Sequence, residues 1–171
     1  VLNSTGQLEE QTEYIREKLT KTDAKWKIVT NHHSVFSPAE GRDFEYARKV
    51  WKPMFEKYGV DLVLNGHDHT YARGHTPVKS QNVNESGIFK TLYVTSVSGP
   101  KQYKLDKDQI KNYEIDGYKS DKMGEETQFF QVINVENNKL TYSAYTTLGE
   151  LYDRAIITKD FLNGEKTISN Q

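Results

Sequence analysis

The sequence predicts an α/β fold, a βαβ unit followed by an antiparallel meander. Three observations carry this. Two short apolar runs, 26–30 and 60–65, flank a stretch with helical spacing. Each run ends in a polar, histidine-bearing segment. After residue 127, three alternating runs are separated by turn residues.

Along the chain, Ser4 followed by Gln7 resembles a capping box. Leu8, Gln11, Ile15 and Leu19 then share one helical face, predicting a helix over about 6–20. The run 26–30 reads as a strand ending in Asn31, His32, His33 and Ser34. Phe44, Ala47, Val50, Trp51, Met54, Phe55 and Tyr58 recur at helical spacing, with Pro53 expected to kink or split the helix and Gly59 to cap it. The second run ends in Gly66, His67, Asp68 and His69. A strand–helix–strand crossover joins parallel neighbours in one sheet. Residues 88–97 read as a further strand, 100–126 as a polar excursion or short helix pair on the surface, and 128–135, 139–146 and 151–158 as the meander. The tail after Lys159 is polar. No linker divides the 171 residues, so the organisation expected is an α/β part over about 1–99, the excursion, and closing strands over 127–159.

Composition narrows the function classes. A net charge of -1 gives no basic surface for nucleic acid or membrane. No run reaches the roughly 18 apolar residues of a membrane-crossing helix, and no targeting segment is visible. Cysteine is absent, which removes disulfides and thiolate metal ligands. The hydrophobic fraction, 35%, is low.

Four of the five histidines lie in the two clusters, each directly after a predicted strand. Ligands of open α/β sheets collect outside the carboxyl ends of the strands, so a βαβ unit brings His32 and His67 to one edge. Gly66 is expected to allow a sharp turn and close approach. His67 and His69, two apart on an extended segment, are expected to project to the same side. Neutral imidazole is a good ligand for zinc, iron and similar ions. The bland alternative is a set of surface or core histidines, but these have no need of strand-end placement.

These residues resemble a known family. The segment Lys27 to Ser37 is similar to the strand and histidine segment of the purple acid phosphatases, a type of calcineurin-like metallophosphoesterase. Asn65 to Arg73 is similar to their Gly-His-x-His-x-Tyr-x-Arg segment. Leu2 to Ser4, Thr91 to Lys101 and the last strands through Asp153 are similar to its approach segment, next strand and closing meander. The resemblance implies the C-terminal half of a metallophosphoesterase β-sandwich flanked by helices, and hydrolysis of small phosphate esters, monoesters first, at a dinuclear site holding iron with zinc, manganese or iron. It implies His32 and His67 as ligands of one metal and His69 of the other, and export from, or residence at the surface of, a bacterium. His33 and His75 are candidates for the catalytic acid or a substrate contact. Tyr71 and Arg73 are candidates for loop support or substrate contact, with packing and solvation of the loop the favoured reading for both.

The family's aspartate ligands, its tyrosine ligand and its asparagine–histidine pair have no equivalent in this sequence. Asp61 falls at the wrong strand end and Asp68 in a variable slot. Two metal ions need roughly four to six donors each, and three neutral histidines bring no balancing charge. The expectation is that an upstream N-terminal part of the same protein completes the site and that this segment alone binds metal weakly and is inactive. The competing readings are a phosphodiesterase or nucleotidase on the same core, and a non-catalytic module in which the histidines hold one zinc ion or none.

Overall fold

The computed structural model describes residues 1–78 and 87–171. The first sheet has the order β1(Ile28–Asn31), β2(Leu62–Asn65), β4(Phe89–Thr95), β3(Tyr71–Pro77), β5(Lys119–Gly124). The pairs β1–β2 and β2–β4 are parallel, and β3 runs antiparallel to both β4 and β5. The second sheet is the antiparallel meander β6(Phe129–Glu136), β7(Lys139–Thr146), β8(Leu151–Lys159), β9(Lys166–Asn170).

The two sheets pack face to face, and helices cover the other face of the first sheet. The alternation along β2 and β4 shows why. Leu62, Leu92 and Val94 point between the sheets, where they meet Phe129, Leu140, Tyr142 and Ile157. Val63 and Tyr93 point the other way, into a core with Ile15, Trp51, Phe55, Ile110 and Tyr113. Strands covered on both faces carry near-continuous apolar runs, which is how 60–65 reads. The predicted α/β sandwich with a βαβ unit and a closing meander is the fold observed.

The helix α1(Leu8–Lys21) lies where its spacing places it. The cap differs from expectation. Gln7 precedes α1 in a left-handed conformation with no side-chain cap, because the Ser4 hydroxyl is engaged by His33. In the crossover, a π-helical turn over Ala47–Trp51 runs into α2(Lys52–Lys57). Pro53 sits in the first turn of α2, where its missing N–H is tolerated, and the ladder widens just before it. Gly59 adopts the left-handed cap conformation, φ 68°.

Three elements depart from the sequence reading. The excursion 100–126 is not a surface helix pair: it forms α3(Lys107–Asn112) and the edge strand β5. Ile110, Tyr113 and Tyr118 anchor it in the helical core. The tail adds β9, whose outward residues are polar. Finally, the sequence reading places no element between Asp68 and residue 88, where β3 pairs with both β4 and β5. Gly74 is required by packing. A Cβ there would lie 2.4 Å from the Lys119 carbonyl oxygen and from the Tyr118 ring. Among the described residues, no helix is long and apolar enough to cross a membrane.

Gly74→Ala therefore forces β5 away from β3, and it should destabilise the fold by about 1–3 kcal/mol, the usual cost of overpacking. The urea midpoint of unfolding measures this. An unchanged midpoint would show that the β3–β5 contact is not tight.

Candidate functional site

The site is built at the carboxyl ends of β1 and β2. Their register aligns Asn31 with Asn65, so the segments that follow emerge side by side. The two asparagines clamp them. Asn65 Nδ2 donates to the Asn31 carbonyl at 3.1 Å and Asn65 Oδ1 accepts the Val35 amide at 3.3 Å. Asn31 Nδ2 donates to the His33 carbonyl at 2.6 Å. Ser34 Oγ donates to the Gly66 carbonyl at 3.1 Å and accepts Thr95 Oγ1 at 3.0 Å, tying in the end of β4.

His32 and His67 meet on this base, with His32 Nε2 3.0 Å from His67 Nδ1 and their rings edge to face. His33 packs against His67 with ring centroids 4.1 Å apart. Its backbone amide donates to Ser4 Oγ at 3.0 Å, and its Nδ1 lies 2.9 Å from the same oxygen. A hydroxyl that accepts the amide can still give its own proton to Nδ1, and in that arrangement the His33 proton sits on Nε2. Burial, then the charges of His33 and Arg42, lower the His67 pKa to about 4. Burial and His32 also lower that of His33. Both are neutral imidazoles near neutral pH, the form that binds metals.

His67 and His69 do not project together. Both residues have positive φ, 69° and 49°, so the segment is not extended and strand alternation does not apply. The turn is carried by these two residues and not by Gly66, whose φ is not left-handed and whose added Cβ would make ordinary 3.9 Å contacts with His32. The His69 ring turns to the Lys101 carbonyl, 3.0 Å from Nδ1, and lies edge-on to Tyr103.

Two imidazole nitrogens bound side by side to one ion at about 2.0–2.1 Å lie roughly 3 Å apart. The His32–His67 pair fits that demand. His69 fits in another way: an Nδ1–H donated to a backbone carbonyl fixes the tautomer and leaves Nε2 free as a ligand, a usual feature of metal-binding histidines. Among the described residues, however, no three such side chains converge to hold an ion. Asp61 lies at the far end of β2, fully buried, with Lys159 Nζ at 2.8 Å and Lys166 Nζ at 3.2 Å. Asp68 is buried in the histidine loop, its Oδ2 without a hydrogen-bond partner among the described residues.

The structure separates His75 from the other four histidines. It is buried within β3, with Nδ1 2.7 Å from Asp121 Oδ2. It belongs to an ion network around Arg73, which binds Asp153 through Nε at 2.7 Å and Nη2 at 2.9 Å and reaches Asp121 at 3.1 Å. Tyr71 donates to Asp153 at 2.6 Å. Tyr71 and Arg73 thus pack as expected, but in the interior: they tie β3 to β5 and β8 and do not solvate the loop. Nothing in the local sequence marks Ser4, Arg42 or Tyr103 as site residues. The sequence reading also assigns the twin asparagines no role, although each precedes a histidine cluster at the end of a strand.

The comparisons with known proteins agree with this geometry. Residues 2–71 match the calcineurin-like phosphoesterase family. Purple acid phosphatase 7 of Arabidopsis thaliana is 25% identical over 147 residues, which is 83% of this chain and 38% of that protein. Purple acid phosphatase 17 of the same plant is 39% identical over 51 residues, 30% of this chain and 15% of that protein. Among solved structures, a purple acid phosphatase from yellow lupin (Lupinus luteus) seeds superposes with a TM-score of 0.63 at 19% identity, over 94% of this chain and 30% of that one. The chain therefore spans well under half the length of these relatives. Over residues 2–71 the chain thus matches the calcineurin-like phosphoesterases, and the relatives and the solved structure it resembles here are purple acid phosphatases.

The Arg73 network supplies a pH prediction. Burial raises the Asp153 pKa, but the bonds from Arg73 and Tyr71 outweigh it, so the folded value lies below the unfolded one. Its contribution is complete above the unfolded pKa of about 3.9 and is lost as pH falls through the folded value. Asp153→Asn should destabilise the fold by about 3–5 kcal/mol at neutral pH, the cost of breaking a buried pair. It should also flatten the fall in stability below about pH 4. Unfolding curves at several pH values check both, and an unchanged acid slope would remove Asp153 from the account.

Proposed function

We propose that this chain supplies the histidine side of a dinuclear metal site that hydrolyses phosphate monoesters. The observation that carries the reading is the approach of His32 Nε2 to His67 Nδ1 at the carboxyl ends of two parallel strands. It is supported by a fold and family built around metal-dependent phosphoesterases.

In this reading His32 and His67 are ligands of one metal and His69 of the second, with iron paired with zinc, manganese or iron. When bound, the metals supply Lewis acidity and activation of water. The chain's own residues do the remaining work identified here. Asn31, Asn65 and Ser34 hold the histidine segments in register. The Lys101 carbonyl orients His69. His33, held by Ser4, lines an open cavity of about 460 Å³ beside His67, where its Nε2–H can donate to a substrate oxygen. His75 takes no part, since its ring is buried with Asp121.

Two metal ions require roughly four to six donors each. Three neutral imidazoles leave the charge unbalanced and no carboxylate bridging, so the remaining ligands are proposed to come from sequence outside these 171 residues. The test is metal content and p-nitrophenyl phosphate turnover of the protein carrying both parts, compared with its His67→Ala variant. The expected result is loss of metal and a fall in turnover of at least about a hundredfold, in line with loss of a group that stabilises transition-state charge. Retained metal and turnover in His67→Ala would end this reading. Faster turnover of bis-p-nitrophenyl phosphate than of the monoester would move it to a phosphodiesterase.

A further inference from the structure

We propose that Arg42 and Tyr103, both outside the histidine segments, form a preorganised wall that binds the phosphoryl oxygens of the substrate. The proposal rests on the phosphoesterase reading above and deepens it by assigning the residues that recognise the anion.

The pair spans the whole site. Arg42 Nη1 contacts His67 Nε2, while Nη2 donates to Tyr103 Oη at 3.0 Å. The guanidinium also stacks over the Tyr103 ring, 4.5 Å from its centroid. The same ring meets His69 edge-on with centroids 5.0 Å apart. One side-chain pair therefore reaches from the first histidine segment's partner, His67, to His69. A phosphoryl group held between those imidazoles would meet the guanidinium and the phenol.

The backbone beneath the pair is fixed. The Glu40 amide donates to the Lys104 carbonyl at 3.0 Å and the Asp106 amide to the Pro38 carbonyl at 2.9 Å, so the two segments are zipped together. From α3, Gln109 Nε2 donates to both the Ser37 and the Arg42 carbonyls. The Tyr103 amide donates to the His69 carbonyl at 3.2 Å. Groups held this way lose little freedom when a ligand arrives.

Arg42 is also uncommitted in a way that Arg48 and Arg73 are not. Arg48 pairs with Asp43 and Asp116, and Arg73 with Asp153 and Asp121, all in close contact. Among the described residues the carboxylate nearest Arg42 is that of Asp68, at 4.0 Å, and the Arg42 side chain remains 30% exposed on the cavity. A guanidinium has five N–H donors, and the two bonds described leave donors available for an oxyanion. The other acids at the cavity do not cancel this: Asp43 is neutralised by Arg48, and Glu40 lies in solvent at the mouth. Lys101 Nζ adds a second cation over the Tyr103 ring, 4.9 Å from its centroid. Arginine matches phosphate oxygens bidentately, in a way lysine does not.

The test is a titration of this chain with inorganic phosphate at constant ionic strength, following the arginine Nε–H and tyrosine ring resonances by NMR. The Arg42 and Tyr103 signals should move with phosphate and not with an equal ionic strength of chloride. Arg42→Ala should weaken phosphate binding at least about tenfold, as expected for a charge-assisted bond. Arg42→Lys should recover part of it, and Tyr103→Phe should fall between wild type and Arg42→Ala. Unchanged thermal melting of the variants excludes a folding effect. Resonances that stay still, or an Arg42→Ala variant that binds phosphate as well as wild type, overturns the proposal. Phosphate binding here without metal-dependent turnover in the protein carrying both parts would instead sink the phosphoesterase reading and leave the anion wall standing.

Discussion

The site depends on one alignment, the parallel register that sets Asn31 opposite Asn65. A slip of one residue would turn every side chain of β2 to the opposite face. Leu62, Leu64 and their neighbours would exchange the inter-sheet core for the helical one, so burial on both faces protects the register. The asparagines then convert that alignment into geometry beyond the strands. Each side chain bonds backbone groups of the segment that follows or adjoins it, at 2.6–3.3 Å. The histidine loops are therefore positioned by hydrogen bonds rooted in the sheet, and not by their own sequence.

That support has something to oppose. His67 and His69 both hold left-handed backbone conformations, which cost about 1–2 kcal/mol each for residues with a side chain. Asp68 between them is buried with one carboxylate oxygen unpartnered among the described residues. Strain of this kind persists only where surrounding structure determines it, and it gathers at functional sites. The surrounding structure here is on all sides: β2 behind the loop, the Ser34 bond to Gly66, and the Tyr103 amide bound to His69. The opposite end of β2 carries none of this strain. There Asp61 receives Lys159 and Lys166 from β8 and β9 and joins the two sheets. Burial lowers the Lys166 pKa to about 8 even with Asp61 beside it. One strand thus carries an inter-sheet ion cluster at its start and the candidate site at its end.

How much of this was legible follows from which forces act locally. The βαβ unit, the kink at Pro53, the Gly59 cap and the meander were readable, because apolar period and φ restriction are properties of short segments. The strand β3 was not. Gly74 and Pro77 speak against a strand, and only contact with Tyr118 and Lys119, more than forty residues on, shows why glycine is needed there. The same holds for Ser4. Read locally it caps a helix; in the fold its hydroxyl holds His33, 29 residues away. The convergence of His32 and His67 was legible because strand ends and crossover handedness fix it. The divergence of His69 was not, because it depends on two positive φ angles.

The polar segment 100–126 is where local reading and fold differ most, and the difference has a functional consequence. Polarity suggested a solvated excursion. Its few aromatic and aliphatic residues are spaced to reach inward, however, and Ile110, Tyr113 and Tyr118 fix it against the helical core. With that anchor in place, the polar residues before α3 are not free surface. Lys101 supplies the carbonyl for His69, Tyr103 stands between His69 and Arg42, and Asp106 both caps α3 and binds the Pro38 carbonyl through its amide. The wall opposite the histidines is therefore made from the segment with the least apolar sequence. A site that meets an anion needs such a wall: apolar residues would offer no donors, and unanchored polar ones would have to be ordered each time a ligand binds. Burying three residues from one short segment meets both demands.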